Sequence, residues 1–233
     1  MSNLAEKIGF TYSVYATWND NVRWELIDGV AYAMAAPSRD HQKASRNILT
    51  QLAVFLKGKK CEVYHAPFDV RLNADYKDNI VVQPDIVVVC DESKLFDGGA
   101  AGAPDFIIEI LSPGSIIFDT QIKKSRYRQA GVKEYWIVDP FQKDITVYIL
   151  NGGVYGKGTV YSEDDIIPVH TLPGCRVDMA DVFGDETETY AEPEPRPDTE
   201  IKYRLLNALK NNRMSRQQLK TMIAEIENEI ENQ

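Results

Sequence analysis

The sequence lacks the features that mark membrane proteins, secreted proteins and disulfide-rich proteins. No apolar run among its 233 residues reaches the roughly 20 residues that span a bilayer, so we predict no membrane span. The first residues lack the basic and then apolar pattern of a secretory signal. Only three cysteines are present, with no CxxC spacing, and they predict reduced, buried thiols in a cytoplasmic protein.

An excess of positive charge and the common catalytic motifs are also missing. The net charge of −9 argues against broad electrostatic binding to nucleic acid, so any such surface must be a local basic patch. Three histidines without HxxxH or HExxH spacing make a zinc site an unfavourable reading. No GxSxG elbow is present, and the glycine-rich stretch 152–159 departs from a phosphate-binding loop and predicts a hairpin turn.

Hydrophobic periodicity predicts a mixture of strands and helices. A hairpin is expected over residues 24–34, turning at Asp28-Gly29, and a helix over residues 38–57 with Ser38 as its N-cap. A second helix is expected to begin at Asp119 as N-cap and to end at Gly131. Strands are predicted at residues 62–72, 81–90, 105–111, 133–139 and 145–150, with a flexible loop at 97–104.

The chain is predicted to contain one folded domain, a linker and a tail. Residues 1–190 form the domain, and the alternating prolines of residues 191–198 predict an extended linker. Residues 199–233 carry two apolar stripes at helical spacing, which predict a helical tail. This tail could form a coiled coil, dock on a partner or fold back onto its own domain.

Two carboxylates lie in apolar runs of the predicted sheet. Asp85 follows Pro84 and opens the run 85–90, and Glu109 lies inside the run 106–111. Carboxylates in such positions are costly unless they are paired or coordinated, and two on neighbouring strands could share one divalent cation. With a lysine following, this order is typical of a metal-dependent phosphodiesterase. The alternative is structural, with Asp85 in a turn and Glu109 paired to a buried arginine.

Three stretches, 83–89, 102–113 and 119–140, resemble the Uma-type family of restriction-endonuclease-like proteins in the PD-(D/E)xK nuclease superfamily. The resemblance extends over roughly residues 18–183. It implies an α/β (α+β) fold with a mixed central sheet flanked by helices, here followed by the C-terminal helical tail.

The resemblance also implies site residues. Asp85, Glu109 and Glu25 would be ligands of Mg²⁺ or Mn²⁺. The superfamily lysine belongs two residues after the second acid, where this chain has Leu111, and the family supplies a lysine from the following helix instead. Lys123 lies at the matching position and would be catalytic, with Lys124 as the other candidate.

The implied function is a DNA endonuclease that hydrolyses phosphodiester bonds with metal-activated water, as a homodimer in which each subunit cuts one strand. Lys124, Arg126 and His41 are candidate nucleic-acid contacts, although a solvated helix face and a hydrogen-bonded helix-terminal histidine explain them as well. One alternative is a catalytically inactive nuclease-fold module that binds a partner through its tail. Another is a hydrolase of a different phosphorylated substrate.

Overall fold

The central sheet of the protein is buried on both faces. We describe it from a computed structural model, in which residues 9–75 and 77–184 are described. The predicted linker and helical tail lie outside these residues. The central strands 86–89 and 106–110 are buried along their whole length, as expected for β-branched runs that are covered on both sides.

Seven strands form this central sheet, which is mixed because one pair of neighbours is parallel and the other pairs are antiparallel. Its order is β12-β11-β10-β9-β6-β3, and β13 also pairs with β11. The predicted mixed central sheet is therefore confirmed. The strands are β3 (Glu62–His65), β6 (Ile86–Val89), β9 (Phe106–Ile110), β10 (Glu134–Asp139), β11 (Asp144–Asn151), β12 (Val154–Tyr155) and β13 (Thr159–Tyr161).

A second sheet of six strands has the order β2-β1-β5-β4-β8-β7. It begins with the predicted hairpin, whose turn residues Asp28 and Gly29 have φ of 53° and 77°. A third sheet contains only β14 and β15. The strands are β1 (Trp24–Ile27), β2 (Val30–Ala33), β4 (Asp69–Arg71), β5 (Val81–Val82), β7 (Leu95–Phe96), β8 (Gly99–Ala101), β14 (Ile166–Pro168) and β15 (Arg176–Asp178).

Helices lie on both sides of the central sheet. Ser38 caps the long helix α2 as predicted, by accepting a hydrogen bond from the backbone N–H of His41. A π-helical turn, Phe118–Lys123, leads directly into α3, which ends at Gly131 with φ of 92°. The helices are α1 (Tyr12–Tyr15), α2 (Arg39–Leu56), α3 (Lys124–Ala130) and α4 (Met179–Phe183).

Alternation along the central strands sends neighbouring residues into two different cores. Ile86 and Ile108 pack with α2 in one core, whereas Val87 and Ile107 pack with residues of the second sheet and α3 in the other. Glu109 follows Ile108 and therefore faces the second core. This alternation along β9 directs the carboxylate of Glu109 towards β1 and α3.

Two predicted strands are wrong in their extent. Residues 62–72 divide into β3 and β4, and residues 81–90 divide into β5 and β6, with the two parts of each in different sheets. Pro67 and Pro84 lie in the interruptions, where a residue without a backbone N–H cannot continue a sheet ladder. The division after β5 leaves Asp85 at the entrance to β6, beside the second sheet.

The predicted flexible loop 97–104 contains the strand β8, which pairs in parallel with β4. Gly99 opens this strand and lies so close to β4 that an added Cβ atom would stand 2.2 Å from the backbone oxygen of Asp69. The loop prediction missed this strand because three glycines and three alanines within residues 97–104 carry no β-pattern. The strand exists because the partner backbone lies close by.

Gly99→Ala is expected to lower the free energy of unfolding by about 2 kcal/mol or more, because backbone atoms must move to admit the methyl group. Chemical denaturation followed by tryptophan fluorescence measures the change. Gly156→Ala is the control, since an added Cβ atom there meets no atom within 4 Å. Equal stability of the two variants would contradict the close approach of β8 to β4.

The prediction of reduced thiols is wrong for two of the three cysteines. Cys61 and Cys90 form a disulfide bond, whereas Cys175 is a buried free thiol. The antiparallel register of β3 and β6 sets Glu62 opposite Val89, so the next position on each strand brings Cys61 opposite Cys90. Sequence spacing alone does not contain this register. Among the described residues, no helix is long and apolar enough to cross a membrane.

Candidate active site

Asp85, immediately before β6, and Glu109, on the neighbouring strand β9, lie opposite each other in the central sheet. The antiparallel pairing of β6 and β9 sets Ile86 opposite Ile108, and the next pair along is Asp85 and Glu109. The Asp85 Oδ2 atom accepts a hydrogen bond of 2.8 Å from the backbone N–H of Ile110. The carboxylate of Asp85 is thus fixed across the strand that carries Glu109.

Lys123 lies among three buried carboxylates. Its Nζ atom is 2.8 Å from Glu25 Oε1, 3.0 Å from Glu109 Oε1 and 3.6 Å from Asp119 Oδ1. All four residues are 3% exposed. The Glu25 Oε1 atom also accepts a 2.8 Å hydrogen bond from the backbone N–H of Gln83. The structure therefore brings together the predicted residues Glu25, Glu109 and Lys123.

Asp119 belongs to this cluster, although the sequence suggested only a cap. It lies inside the π-helical turn, and its backbone N–H donates to the carbonyl of Ser115, so the predicted N-cap role is wrong. Its spacing of four residues from Lys123 places the two side chains on one face of the turn. That spacing was visible in the sequence and was the available signal.

Two buried tyrosines hold the acidic cluster in place. The hydroxyl of Tyr127 donates to Glu109 Oε1, and the hydroxyl of Tyr135 donates to the backbone carbonyl of Asp119 at 3.1 Å. Burial, together with the negative charge of Glu109, raises the pKa of both tyrosines well above the ordinary value. Both hydroxyls therefore stay protonated and act as donors.

The acids and the lysine shift each other's pKa. Burial raises the pKa of Glu109 and of Asp119, and in each case the charge of Lys123 opposes part of this rise. Burial on its own lowers the pKa of Lys123, but the charges of Glu109, Glu25 and Asp119 outweigh it and hold the pKa well above its usual range. Lys123 is therefore an ammonium ion at neutral pH.

His41, the third of the candidate nucleic-acid contacts, lies beside Asp85. The His41 Nε2 atom is 3.2 Å from Asp85 Oδ2, and the histidine is 8% exposed. The helix-terminal alternative is also partly realised, since the backbone N–H of His41 donates to the Ser38 cap. The histidine thus links the start of α2 to the carboxylate at the start of β6.

Lys124 and Arg126 lie away from the acidic cluster. The Lys124 ammonium stands 3.5 Å from the ring centroid of Tyr148, and Arg126 forms an ion pair with Asp28 of the hairpin turn. One residue of helical rotation separates Lys123 from Lys124, so only one of them can face the carboxylates. Of the two candidate lysines, Lys123 is the one that contacts Glu25 and Glu109.

The acidic cluster forms the base of a cavity of about 360 Å³. The residues that line it include Arg23, Tyr32, Phe118 and the segments 33–38 and 112–115. Arg23 carries no sequence signal, because one arginine before a strand forms no pattern. Asp85 and Glu109 line the same cavity, so a ligand held there would contact both carboxylates.

The donor chemistry of the cavity suits a hard divalent cation. Asp85, Glu109 and Glu25 all line the cavity, and carboxylate oxygens are the kind of ligand that Mg²⁺ and Mn²⁺ prefer. Within residues 9–75 and 77–184, no three His, Cys, Asp or Glu side chains converge into a ready metal cage. The Lys123 ammonium supplies the positive charge between Glu25 and Glu109 in this arrangement.

Known proteins share this chain's sequence pattern and fold. Residues 12–180 match the model of the Uma2 family, described as "Putative restriction endonuclease". An uncharacterized protein of Synechocystis sp. is 26% identical over 140 residues, which cover 59% of this chain and 72% of that protein.

A solved structure supports the same assignment of the fold. The crystal structure of a "putative nuclease belonging to DUF820" from Anabaena variabilis superposes with a TM-score of 0.61 and 19% identity. The match covers 75% of this chain and 97% of that one. The predicted resemblance is confirmed, because the family model spans most of the folded part of the sequence. The chain belongs to the Uma2 family of restriction-endonuclease-like nucleases.

Proposed function

We propose that this protein is a Mg²⁺- or Mn²⁺-dependent endonuclease that hydrolyses phosphodiester bonds in DNA. The observation that carries the proposal is the meeting of Asp85, Glu109, Glu25 and Lys123 at the base of one cavity. The family assignment supports a nuclease, and the donor set supports a hard metal ion. The proposed enzyme is cytoplasmic. It acts as a homodimer, and light scattering tests this oligomeric state.

Each residue has a distinct part in the proposed reaction. Asp85, Glu109 and Glu25 hold the cation, which when bound polarises the phosphate and lowers the pKa of a water molecule. The Ile110 N–H and the Tyr127 hydroxyl keep the carboxylates of Asp85 and Glu109 in position. The Lys123 ammonium neutralises the negative charge that develops on the phosphate oxygens.

A rival function is favoured by one observation. Lys123 already pairs with Glu25 and Glu109, and this pairing could serve a catalytically inactive fold without metal. Such a module would act through protein interaction, with the predicted tail at residues 199–233 as the binding element. It predicts no cleavage of any nucleic acid, and a change in oligomeric mass when the chain is cut after residue 198.

Divalent metal is expected to stabilise the fold by mass action. Mg²⁺ or Mn²⁺ at about 100 times its Kd should raise the free energy of unfolding by about 2.7 kcal/mol. This corresponds to a rise in Tm of about 5–10 °C for a domain of this size. Differential scanning fluorimetry with metal or with EDTA measures the shift. Glu109→Gln should remove most of it, and the exposed Asp164→Asn should leave it unchanged.

Cleavage of circular DNA tests the proposal directly. Supercoiled plasmid and circular single-stranded DNA are incubated with the full chain and Mg²⁺, Mn²⁺ or EDTA. Metal-dependent nicking or linearisation of either substrate supports the nuclease. Absence of cleavage of both substrates, together with the absence of a metal-induced Tm shift, would overturn it and favour the inactive module.

A further inference from the structure

One nitrogen of the Arg23 guanidinium group is unsatisfied beside the candidate active site. Arg23 immediately precedes β1 and lines the same cavity as Glu25. Among the described residues its buried Nη2 atom has no hydrogen-bond partner. A buried donor without an acceptor is unfavourable, and a guanidinium group matches the oxygens of a phosphate in a planar, two-pronged geometry. An anionic ligand would satisfy Arg23.

The orientation of Arg23 is fixed by a chain of hydrogen bonds. The Arg23 Nε atom donates to Gln83 Oε1 at 3.0 Å. The Gln83 Nε2 atom in turn donates to Asp69 Oδ1 at 2.9 Å and to the hydroxyl of Tyr15 at 3.0 Å. Because Gln83 is itself held on two sides, it fixes the plane of the guanidinium group. Arg23 is therefore preorganised rather than a mobile surface cation.

Two of the segments that line the cavity carry no charge. Segments 33–38 and 112–115 contain alanine, methionine, proline, serine and glycine and no acidic or basic residue. Surfaces that bind duplex DNA place lysine and arginine along both backbones, since phosphate neutralisation supplies most of the affinity. Uncharged lining segments with mostly small side chains suit the faces of bases better than two phosphate backbones.

An aromatic pair lines the same cavity. The rings of Tyr32 and Phe118, both lining the cavity, have centroids 4.8 Å apart with an angle of 59° between their planes. Aromatic side chains stack with nucleic-acid bases of any sequence, provided that the bases are unpaired and their faces are exposed. The cavity thus combines one phosphate-binding cation with a surface for a base.

The basic residues of the α3 region are already engaged within the chain. Lys124 covers Tyr148, Arg126 pairs with Asp28, and the Lys133 Nζ atom lies 2.6 Å from Asp105 Oδ1. These contacts leave the three cations less able to form a broad positive surface. They agree with the net charge of −9, which opposes binding of a long duplex by electrostatic attraction.

We propose that the cavity binds an unpaired strand of DNA, with Arg23 on a backbone phosphate and the Tyr32–Phe118 pair against a base. This inference rests on the proposed nuclease function and defines the substrate class of the same site. The unpaired strand would lie along the uncharged segments 33–38 and 112–115, with its phosphate at Arg23 in the cavity that Glu25 and Asp85 also line.

Binding of a labelled oligonucleotide tests the inference. Fluorescence anisotropy compares a single strand with the same sequence as a blunt duplex, using the full chain with Ca²⁺, which accepts oxygen ligands in a looser geometry. The single strand is expected to bind at least about tenfold more tightly than the duplex. Arg23→Gln should weaken single-strand binding about tenfold, whereas Arg23→Lys should retain part of it.

The salt dependence separates a phosphate contact from a structural role. Loss of one phosphate contact to a single strand should reduce the slope of log K against log salt concentration by about 0.7. Arg23→Gln should show this change, and a merely misfolded variant would not. Arg176→Gln removes the same charge from an exposed position on β15 and should match the wild type.

The outcomes distinguish this inference from the proposed function. Equal or tighter binding of the duplex, no binding of either DNA, or an unchanged salt slope in Arg23→Gln would overturn the unpaired-strand proposal. Metal-dependent cleavage of duplex and single strand at equal rates would overturn it too, while leaving the nuclease function intact. Preferential single-strand binding through Arg23, without cleavage by any metal and without a metal-induced Tm shift, would support the cavity assignment and overturn the nuclease.

Discussion

Lys123→Met is expected to lower the free energy of unfolding by about 3–5 kcal/mol near neutral pH, because it leaves buried charges uncompensated. Glu25, Glu109 and Asp119 would then share the cavity base without the ammonium that lies 2.8–3.6 Å from each of them. Methionine keeps most of the length of the side chain, so the loss reports charge rather than volume. Urea denaturation with two optical probes measures it.

The loss of stability caused by Lys123→Met is expected to be smaller at about pH 5 than at about pH 8. The folded-state pKa of Glu109 and of Asp119 is raised by burial, so each binds a proton more tightly in the folded than in the unfolded protein. Stability from such a group is fully present below its unfolded pKa and is lost as pH rises through its folded pKa. Removing Lys123 raises the folded-state pKa of Glu109 and of Asp119 further. The stabilisation that comes from their protonation therefore persists to higher pH.

Lys157→Met is the matched control for Lys123→Met. Lys157 is exposed in the hairpin region between β12 and β13, and its replacement should change stability by less than about 0.5 kcal/mol at any pH. Millimolar Mg²⁺ should restore part of the stability of Lys123→Met, since the carboxylates would then share the cation. A stability of Lys123→Met close to wild type would contradict the buried ion-pair network.

Asp85→Asn is expected to reduce metal-dependent DNA cleavage by about 1,000-fold, equivalent to about 4 kcal/mol of transition-state stabilisation. The asparagine amide oxygen can still accept the Ile110 N–H, so the link between β6 and β9 is retained. The variant therefore removes charge at the proposed metal site with little change in shape. Initial rates on circular DNA with Mg²⁺ or Mn²⁺ measure the effect.

Asp164→Asn controls for charge and for preparation in the Asp85 experiment. Asp164 is exposed in the turn before β14, so the Asp164→Asn variant should cleave DNA at the wild-type rate. Circular dichroism and thermal unfolding in EDTA establish that Asp85→Asn remains folded. Cleavage by Asp85→Asn at the wild-type rate would indicate a contaminating nuclease or a site that does not depend on this carboxylate.

The candidate site shows which parts of such a structure can be derived from sequence. Asp85 and Glu109 were identifiable because one opens a β-branched run and the other lies inside one, and strands of that composition lie in the interior of a sheet. Lys123 was identified only through the family resemblance, since composition does not separate it from Lys124. The position of each lysine around the helix decides that Lys123, and not Lys124, contacts the carboxylates. The catalytic role of Lys123 stays a prediction.

Local signals failed where the partner of a residue comes from elsewhere in the chain. Residues 81–90 were predicted as one strand because their hydrophobic pattern does not indicate which sheet each half joins. Asp119 read as a cap because its approach to Lys123 depends on the π-helical turn. Cys61 and Cys90 read as free thiols because only the register of β3 on β6 brings them together.

The sequence by itself determined the family, the mixed central sheet, the β1–β2 hairpin, the capped helix α2 and the identity of the acids. The hairpin and the capped helix follow from hydrophobic period, turn chemistry and local hydrogen bonding, which act over a few residues. The mixed central sheet and Glu25 were implied by the resemblance to the family. Only the tertiary structure decided that Asp119 joins the cluster, that Lys123 lies among three carboxylates, and that Arg23 Nη2 has no hydrogen-bond partner beside them. Those facts depend on contacts across long stretches of chain, because electrostatic energy in a buried site is set by distance in space.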